Sequence, residues 1–435
     1  MRRSRRFKSG VDGDGSGRRP GQSIARTFSS FRSRNYRLFW FGQLLSVTGT
    51  WMGRVAQSWL ILNLTDSSFA LGLVTALQFT PIMIFSLFGG VLADRLPKRG
   101  MLVITQAVMA AQALLLAVLV STGSVQIWHV YVLATVLGLA SAFDNPTRQA
   151  FVIEMVGPES LANAVALNSS LFNTARIVGP SIGGALIAAF GIAVPFYLNA
   201  VSYLAVIGGL LLMRPAELHN VPTPTRGPVL TRMREGISYA ARTPSIALVL
   251  IMMVFLGTFG YNFNLVLPLI ARYVLGTNAF GLGGLLTALG VGSLMAALGM
   301  AYVNRPTERI FLVGAIAFTI LLGLLGLMQA LLPTLILLVL LGVASIAVTA
   351  TANSRLQLLT PGDYRGRVMS LYIFVSSGTA PIGSLLIGTI AERANVRVAV
   401  LITTALGVLL GLLYHSRSRS TVITSTTIDS PSPND

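Results

Sequence analysis

Long stretches without a charged residue restrict the fold of this chain more than any other feature of its sequence. Apolar residues make up 53% of the chain and charged residues only 11%, whereas soluble domains average about 45 to 50% and about 25%. The composition therefore excludes an ordinary soluble protein and indicates a chain that lies in a lipid bilayer. The uncharged stretches include residues 100–143, 177–213, 243–271, 273–304, 310–354, 368–391 and 398–416.

The lengths of these stretches predict twelve membrane-spanning helices. One such helix needs about 20 apolar residues, so the two longest stretches must each hold two. A break divides each of them, Ser121-Thr122-Gly123-Ser124 in the first and Pro333 in the second. The stretches are continuous rather than alternating, so they do not fit the strands of a membrane barrel. The predicted spans are residues 38–62, 70–92, 101–121, 127–147, 164–190, 194–213, 246–271, 281–303, 310–330, 333–352, 368–390 and 397–414.

The basic residues gather on one side of the predicted spans. The formal net charge is +18, and most of the 32 lysines and arginines lie in the two tails and in the loops on the side of those tails. The positive-inside rule therefore places both termini in the cytoplasm. Because topology explains the basic charge, a nucleic-acid partner is not expected.

The residue types needed for several kinds of chemistry are missing or scattered. The chain has no cysteine, and its three histidines, His129, His219 and His415, are far apart in the sequence. No Gly-Lys-Ser/Thr sequence is present, so the chain has no phosphate-binding P-loop. We therefore expect no metal, no cofactor and no enzymatic reaction.

A proline-rich polar segment divides the chain into two halves of six spans. The loop after span 2 aligns with the loop after span 8, pairing Arg95 with Arg305 and Arg99 with Arg309. Related halves are typical of secondary transporters. The expected organisation is a disordered basic tail (1–37), a first half (38–213), a cytoplasmic linker (214–243), a second half (244–416) and a disordered tail (417–435).

Two motifs carry a family resemblance. Gly90, Asp94, Arg95, Lys98 and Arg99 match the pattern Gly-x-x-x-Asp-Arg-x-Gly-Arg/Lys-Arg/Lys, with Pro97 in place of the second glycine. Span 5 contains Gly179-Pro180-Ser181-Ile182-Gly183-Gly184, which looks like the motif of exporting antiporters. Over residues 31–414 the sequence thus resembles the major facilitator superfamily, in the branch of the bacterial enterobactin exporter and drug exporters. The resemblance implies an all-α polytopic membrane protein with twelve transmembrane helices in two pseudo-symmetric six-helix halves.

The resemblance also implies a gate at the cytoplasmic side. In it Lys98 or Arg99 pairs with Asp144, while Asp94 faces the start of span 11. Partly exposed ion pairs are worth about 0 to 1 kcal/mol, which lets such a gate break in every cycle. The alternative is that the basic residues only hold the loops in the cytoplasm. The expected gate residues are Gly90, Asp94, Arg95, Lys98, Arg99, Asp144 and Arg148.

Polar residues on spans 1, 5 and 7 predict a substrate cavity. An arginine inside the membrane costs about 2.5 to 3.5 kcal/mol, so Arg54 and Arg176 should face a cavity or a partner. No acidic residue lies well inside a predicted span, which favours an anionic or neutral substrate. The alternative is that the uncharged polar groups only join helices by hydrogen bonds. The predicted cavity residues are Gln43, Thr50, Arg54, Gln57, Asn173, Arg176, Tyr261 and Asn262.

These features predict a secondary active transporter of a bacterial cytoplasmic membrane. It would export a small amphipathic compound, such as a siderophore or a drug, by alternating access, as a monomer and as a proton antiporter. Gly179, Pro180, Gly183 and Gly184 would then prevent leakage, or would serve tight helix packing alone. Two alternatives remain, an importer or facilitator of a small solute and a membrane scaffold or receptor that transports nothing.

Overall fold

The computed structural model describes residues 28–220, 229–300 and 307–428, and these residues form helices and no strand. We number the membrane helices α1 to α12, so that each number is also that of the predicted span. The first half contains α1 (Arg34–Thr65), α2 (Ser68–Arg95), α3 (Lys98–Ser121), α4 and α5 (together Ile127–Phe190) and α6 (Ala193–Leu211). The second half contains α7 (Pro244–Val274), α8 (Ala279–Met300), α9 (Glu308–Leu327), α10 (Leu331–Leu359), α11 (Gly362–Arg393) and α12 (Val396–Ile428).

The helices agree with the predicted all-α membrane fold. Ten helices of the described residues are long and apolar enough to cross a membrane. One of these ten is the 64-residue helix Ile127–Phe190, which Gly157 divides into α4 and α5 because its φ of 74° is not helical. The helix α1, with 32 residues, also has the length to cross, although its polar stripe lowers its hydropathy. Together these helices account for the twelve predicted spans.

The connection between α4 and α5 differs from the prediction. The sequence predicts a loop over residues 148–163, but the chain stays helical through residue 156 and resumes at Pro158. Proline suits the first turn of a helix, where its missing N–H is not needed. The helix α4 therefore ends well beyond residue 147, the predicted limit of span 4.

Parts of the two expected tails are helical within the described residues. Residues Ser29–Arg32 form a 3₁₀ helix, and Ser33 caps α1 by accepting a hydrogen bond from the backbone N–H of Tyr36 at 3.2 Å. The hydroxyl of Ser30, which is buried, donates to the carbonyl oxygen of Ser160 at 3.1 Å. At the other terminus, α12 continues to Ile428. The remaining parts of both predicted tails, residues 1–27 and 429–435, lie outside the described residues.

The predicted linker contains a helix that is fixed to the second half. This linker helix, Val229–Arg242, packs against the start of α11. The side chains of Glu235 and Arg367 form an ion pair at 3.0 Å, and the rings of Tyr239 and Tyr364 stack at 4.4 Å. Residues 221–228 of the linker lie outside the described residues.

The two halves meet along two pairs of helices, α5 with α8 and α2 with α11. We call the end of the bundle that holds Ser33, Lys98 and Leu212 the basic end, and the end that holds Asp66 and Tyr273 the opposite end. Large apolar side chains such as Leu45, Ile104 and Phe190 are exposed on the helices, as expected of surfaces that contact lipid. Both helix pairs carry the residues of the candidate site.

Candidate functional site

A cavity of about 290 Å³ lies between the halves. It is lined by α1, α5, α7, α8 and α10, so both halves contribute to it. Most lining groups are apolar, with a few polar groups among them, as is typical of small-molecule sites. The lining residues are Trp51, Arg176, Tyr261, Phe263, Asn264, Leu286, Leu289, Gly290, Ser293, Ser345, Ile346 and Thr349.

A second, smaller cavity adjoins the first. Its volume is about 20 Å³, and Arg54, Gln57 and Gln78 are among the residues that line it. Asn264 lines both cavities. The guanidinium of Arg54 stacks on the indole ring of Trp51, 4.5 Å from its centre, so these two side chains lie where the cavities meet.

Two arginine side chains bring uncompensated positive charge to these cavities. Arg176 Nη2 donates to Asn173 Oδ1 at 3.1 Å, whereas Arg176 Nε is buried without a hydrogen-bond partner. No ion pair joins Arg54 or Arg176 to an acidic side chain in the described part of the chain. A buried charge without a counter-ion is costly, so a bound anion would be stabilised here.

The helix α7 is broken where it reaches the larger cavity. A π-helical turn, Leu256–Gly260, ends at Tyr261 and Asn262, and the α-helix resumes at Phe263–Leu269. Interrupted membrane helices and π turns both occur often at binding sites. The break turns Tyr261 and Asn264 toward the same cavity.

The structure brings together only part of the predicted cavity. Arg54 and Gln57 line the smaller cavity, and Arg176 and Tyr261 line the larger one. Asn173 lines neither cavity, but its amide oxygen accepts a hydrogen bond from Arg176, which lines the larger one.

Besides Asn173, three predicted cavity residues line neither cavity of this structure. Thr50 faces the hydroxyl of Tyr203 at 3.1 Å. The buried amide of Asn262 donates to the carbonyl oxygen of Thr258 within α7. Gln43 lies eleven residues before Arg54 on α1, which places it about 16 Å nearer the basic end. A shared helical face does not ensure a shared depth.

Several residues of the larger cavity were not predicted. Asn264 and Trp51 lie within four residues of predicted ones, and Ser345 and Thr349 are one turn apart on α10. The spacing of this last pair was a usable signal, because residues four apart share a helical face.

The predicted gate pairing of Lys98 or Arg99 with Asp144 does not occur in this structure. Lys98 Nζ pairs instead with Glu154 Oε1 at 2.7 Å. Arg99 donates to the carbonyl oxygens of Leu210 at 2.7 Å and Leu211 at 3.0 Å, which cap the end of α6. The reason is depth, because Asp144 contacts α3 about 10 Å further along that helix than Lys98.

The other gate residues of α2 form no inter-helix pair among the described side chains. Arg95 is exposed at the end of α2, and a Cβ atom on Gly90 would meet open space. The neighbouring Gly89 is the glycine that lies against α4, at the carbonyl oxygen of Ala142. The side chain of Asp94 lies outside the described residues.

Asp144 and Arg148 form an ion pair within the first half. Asp144 has no solvent exposure, and its Oδ2 lies 2.8 Å from Arg148 Nη2. Its other oxygen accepts from Thr105 Oγ1 at 2.9 Å and from Gln106 Nε2 at 2.8 Å. Arg148 Nη1 donates to Gln43 Oε1 at 3.0 Å, so this cluster connects α1, α3 and α4.

The glycines of the span 5 motif lie in close helix contacts. A Cβ on Gly179 would lie 2.5 Å from the Trp51 side chain, and one on Gly183 would lie 2.9 Å from Met52 Cα. These two glycines therefore hold α5 against α1. Across the halves, a Cβ on Gly184 would lie 2.5 Å from the Ala279 carbonyl oxygen.

The contact of α5 with α8 is continued by other small residues. A Cβ on Gly283 would lie 2.5 Å from the carbonyl oxygen of Pro180. The hydroxyls of Ser181 and Thr287 lie 2.6 Å apart, and Thr287 also bonds the carbonyl oxygen of Ile177 at 2.8 Å. We call this contact the α5–α8 seam.

Polar contacts also join the halves at the opposite end. Arg272 Nη2 pairs with Asp66 Oδ1 at 3.3 Å, and the hydroxyl of Tyr273 donates to the carbonyl oxygen of Asp66 at 2.8 Å. Glu392 Oε2 accepts from the backbone N–H of Ser68 at 2.7 Å, at the positive end of the α2 dipole. In the described ranges, every hydrogen bond and ion pair between the halves lies in the seam or at this end. The polar contacts between the halves that involve described side chains therefore lie away from the basic end.

Comparison with a known structure confirms the predicted fold. A bacterial homologue of the human lysosomal transporter Spinster, in an inward-facing and unoccupied conformation, superposes with a TM-score of 0.71 at 14% identity. The likeness covers 92% of this chain and 99% of that chain.

Comparisons of sequence identify the family. Residues 25–433 match the family described as transmembrane secretion effectors. The staphyloferrin A transporter of Staphylococcus aureus is 24% identical and matches over 82% of this chain and 89% of its own. The multidrug efflux pump Tap of Mycolicibacterium fortuitum is 26% identical (86% and 94%), and the enterobactin exporter EntS of Shigella flexneri is 23% identical (84% and 86%). The chain is therefore a multi-pass membrane transporter rather than an enzyme, and it belongs to the transmembrane secretion effectors of the major facilitator superfamily.

Proposed function

We propose that this protein exports a small, amphipathic, anionic compound across the cytoplasmic membrane of a bacterium in exchange for protons. The observation that carries the proposal is Arg176, whose buried Nε has no hydrogen-bond partner while its side chain lines the larger cavity. Arg54 adds a second charge next to that cavity. An anionic group of the substrate would supply the missing acceptor and counter-charge.

The apolar part of the substrate would contact the other walls of the cavity. Trp51, Phe263 and Leu286 offer aromatic and aliphatic surface there, and Asn264 and Ser345 add uncharged polar groups. Few polar groups in a mostly apolar wall suit a compound with one charged region and an apolar body. The names of the relatives support a substrate of siderophore or drug type, since one transports staphyloferrin A, one exports enterobactin and one effluxes drugs.

The proposed direction depends on which way the bundle faces. The positive-inside rule supports a cytoplasmic basic end, and so cytoplasmic termini. The contacts between the halves then close the extracellular side, which corresponds to a state that faces the cytoplasm. Export requires these contacts to break and the halves to rock, so that the cavity opens outward.

We place the coupling proton on Asp144. Its carboxylate is fully buried and pairs with Arg148, whose own side chain is 16% exposed. Protonation of Asp144 would release Arg148, which also contacts Gln43 and lies 5.6 Å from the ring of Phe172. A change at Asp144 would thereby reach α1 and α5, the two helices that carry Arg54 and Arg176.

The substrate proposal predicts a charge-dependent loss of binding for Arg176→Gln. We expect binding of an anionic substrate to weaken at least about tenfold, because a hydrogen bond to a charged group is worth about 1.5 to 3 kcal/mol. The measurement uses proteoliposomes with an imposed proton gradient, in which internal pH is recorded as anionic siderophores and cationic dyes are added. Arg176→Lys keeps the charge, and Arg242→Gln removes an exposed arginine of the linker helix as a matched control.

Each outcome of this experiment separates the candidate functions. Proton flux that requires an anionic siderophore and falls in Arg176→Gln supports the proposal. Transport of a cationic dye at an equal rate, unchanged by Arg176→Gln, contradicts the anionic preference. Substrate movement without proton movement would favour a facilitator, and no movement of any compound would favour a scaffold or receptor.

A further inference from the structure

Another cavity, of different chemistry, lies at the basic end, outside the contact between the halves. Its volume is about 530 Å³. It lies among the Ser29–Arg32 helix, the α4–α5 junction and the segment after α6. The residues that line it are Ser29, Ser30, Arg32, Ser33, Arg34, Met155, Val156, Ser160, Arg214, Glu217 and His219.

The charge of this cavity is positive. It has three arginines and one acidic residue, and Arg214 Nη1 pairs with that acid, Glu217, at 2.9 Å. Arg34 Nη1 donates to the carbonyl oxygen of Leu212 at 3.0 Å, which leaves its charge without a counter-ion. Arg32 and Arg34 pair with no acidic side chain in the described ranges. Such a set of guanidinium groups suits a phosphoryl group.

The walls of this cavity are held in place by hydrogen bonds. Ser33 Oγ donates to the carbonyl oxygen of Met155 at 2.8 Å, and the Ser30 backbone N–H donates to Asn163 Oδ1 at 3.0 Å. On the other side, the backbone N–H of His219 donates to the carbonyl oxygen of Glu154 at 2.7 Å. The imidazole of His219 lies over Gly157, where a Cβ would be 3.1 Å from Nε2. The arginines are thus presented by a fixed backbone rather than by a free tail.

An aromatic cluster beside the cavity indicates contact with lipid. The ring of Phe31 lies 6.1 Å from that of Phe28, 5.1 Å from that of Trp40 and 6.1 Å from that of Phe41. Phe28 is 50% exposed and Phe41 57% exposed. Leu45, one turn deeper on α1, is also exposed. Tryptophan is enriched at the membrane–water interface, so Trp40 favours a position of this cluster at headgroup level, where the exposed phenylalanine rings offer apolar surface to acyl chains.

We propose that this cavity binds the headgroup of an anionic phospholipid. Its phosphate contacts Arg32 and Arg34, and its acyl chains lie along the exposed rings of Phe28 and Phe41. Basic pockets at the membrane surface are suited to such headgroups. Bound there, the lipid would connect the start of α1 to the α4–α5 junction. This site is separate from the substrate cavity and does not depend on the substrate or on proton coupling.

The test compares two lipids that differ in headgroup charge. Phosphatidylglycerol and phosphatidylcholine with the same acyl chains are titrated into the purified full chain in neutral detergent, and bound lipid is counted by native mass spectrometry. We expect the wild-type chain to prefer phosphatidylglycerol, and Arg32→Gln/Arg34→Gln to bind it about tenfold more weakly. Arg37→Gln is the matched control. Arg37 lies in α1, as Arg34 does, and is exposed, but it does not line the cavity.

A single-residue variant and a competition with soluble phosphates complete the test. Arg32→Gln alone should also reduce the preference. Among the described residues the Arg32 side chain forms no ion pair, so loss of folding is not expected. Equal retention of the two lipids by the wild-type chain, or an unchanged preference in the double variant, overturns the proposal. Complete displacement of phosphatidylglycerol by inorganic phosphate or glycerol phosphate also overturns it, in favour of a soluble phosphoryl ligand.

Discussion

Replacing Asp144 with asparagine is expected to abolish transport driven by a proton gradient, while exchange of substrate for substrate continues. Among the described side chains, Asp144 is the acidic one with no solvent exposure. A proton that binds there changes the charge of the Asp144–Arg148 pair, and asparagine cannot accept that proton. Exchange of substrate requires the cavity to alternate but requires no net proton movement. The measurement is uptake of one compound by the same proteoliposomes, first with a pH gradient and then with substrate on both sides.

Loss of stability is the competing explanation, and a second variant separates the two. Removing one member of a buried ion pair costs about 3 to 5 kcal/mol, because the remaining charge is left uncompensated. Asp144→Asn should therefore lower the melting temperature of the purified protein. Asp144→Asn/Arg148→Gln removes both charges and should recover much of that stability without recovering proton-driven transport. Proton-driven uptake in this double variant would contradict a coupling role and leave the pair a structural one.

The position of Asp144 shows where prediction from the sequence stopped. The sequence predicts that it lies near the end of span 4, because the predicted span ends at residue 147, just before Arg148. In the structure α4 continues to residue 156, so Asp144 lies about three turns inside the helix. Where a helix continues beyond its apolar residues, the hydropathy of the sequence does not show where it ends. Counting uncharged residues therefore predicts the span but not how far Asp144 lies from the end of the helix.

The number and order of the helices were predictable, whereas their rotations and depths were not. Uncharged length determines each span, so α3, predicted over 101–121, is found at Lys98–Ser121. Which stripe residue reaches a cavity depends on how neighbouring helices cross. Arg54 and Gln43 share a stripe, but one lines a cavity and the other bonds Arg148. Side-chain pairs such as Lys98 with Glu154 depend on the same crossings and were likewise not predicted.

The second large effect is expected from Gly184→Val, which should hold the protein open at the opposite end and stop transport. The added Cβ would lie 2.5 Å from the carbonyl oxygen of Ala279 and 3.0 Å from Phe280 Cα. Both are backbone atoms, so α5 and α8 must separate. Inserting bulk into a packed contact costs about 1 to 3 kcal/mol, which shifts an equilibrium between two states by about 5-fold to 150-fold.

The cysteine-free sequence makes this change of state measurable. A single cysteine introduced as Ser181→Cys lies in the α5–α8 seam, where the native hydroxyl faces Thr287 at 2.6 Å. A thiol reagent that does not cross membranes should label it slowly in the otherwise wild-type chain and quickly once Gly184→Val is added. Gly208→Val is the matched control, because a Cβ at that position of α6 meets nothing within 4 Å.

The labelling result also decides between the two roles considered for the span 5 motif. If the motif serves packing alone, Gly184→Val should lower stability and abundance while the labelling rate of the surviving protein stays that of the wild type. If the seam closes the opposite end, faster labelling and loss of transport should occur together in protein that is still folded. Gly283→Val provides an independent check, because its Cβ would meet Pro180 from the other helix at 2.5 Å. The same phenotype from both sides of the contact would identify the seam itself, rather than either helix, as the element that separates the two states.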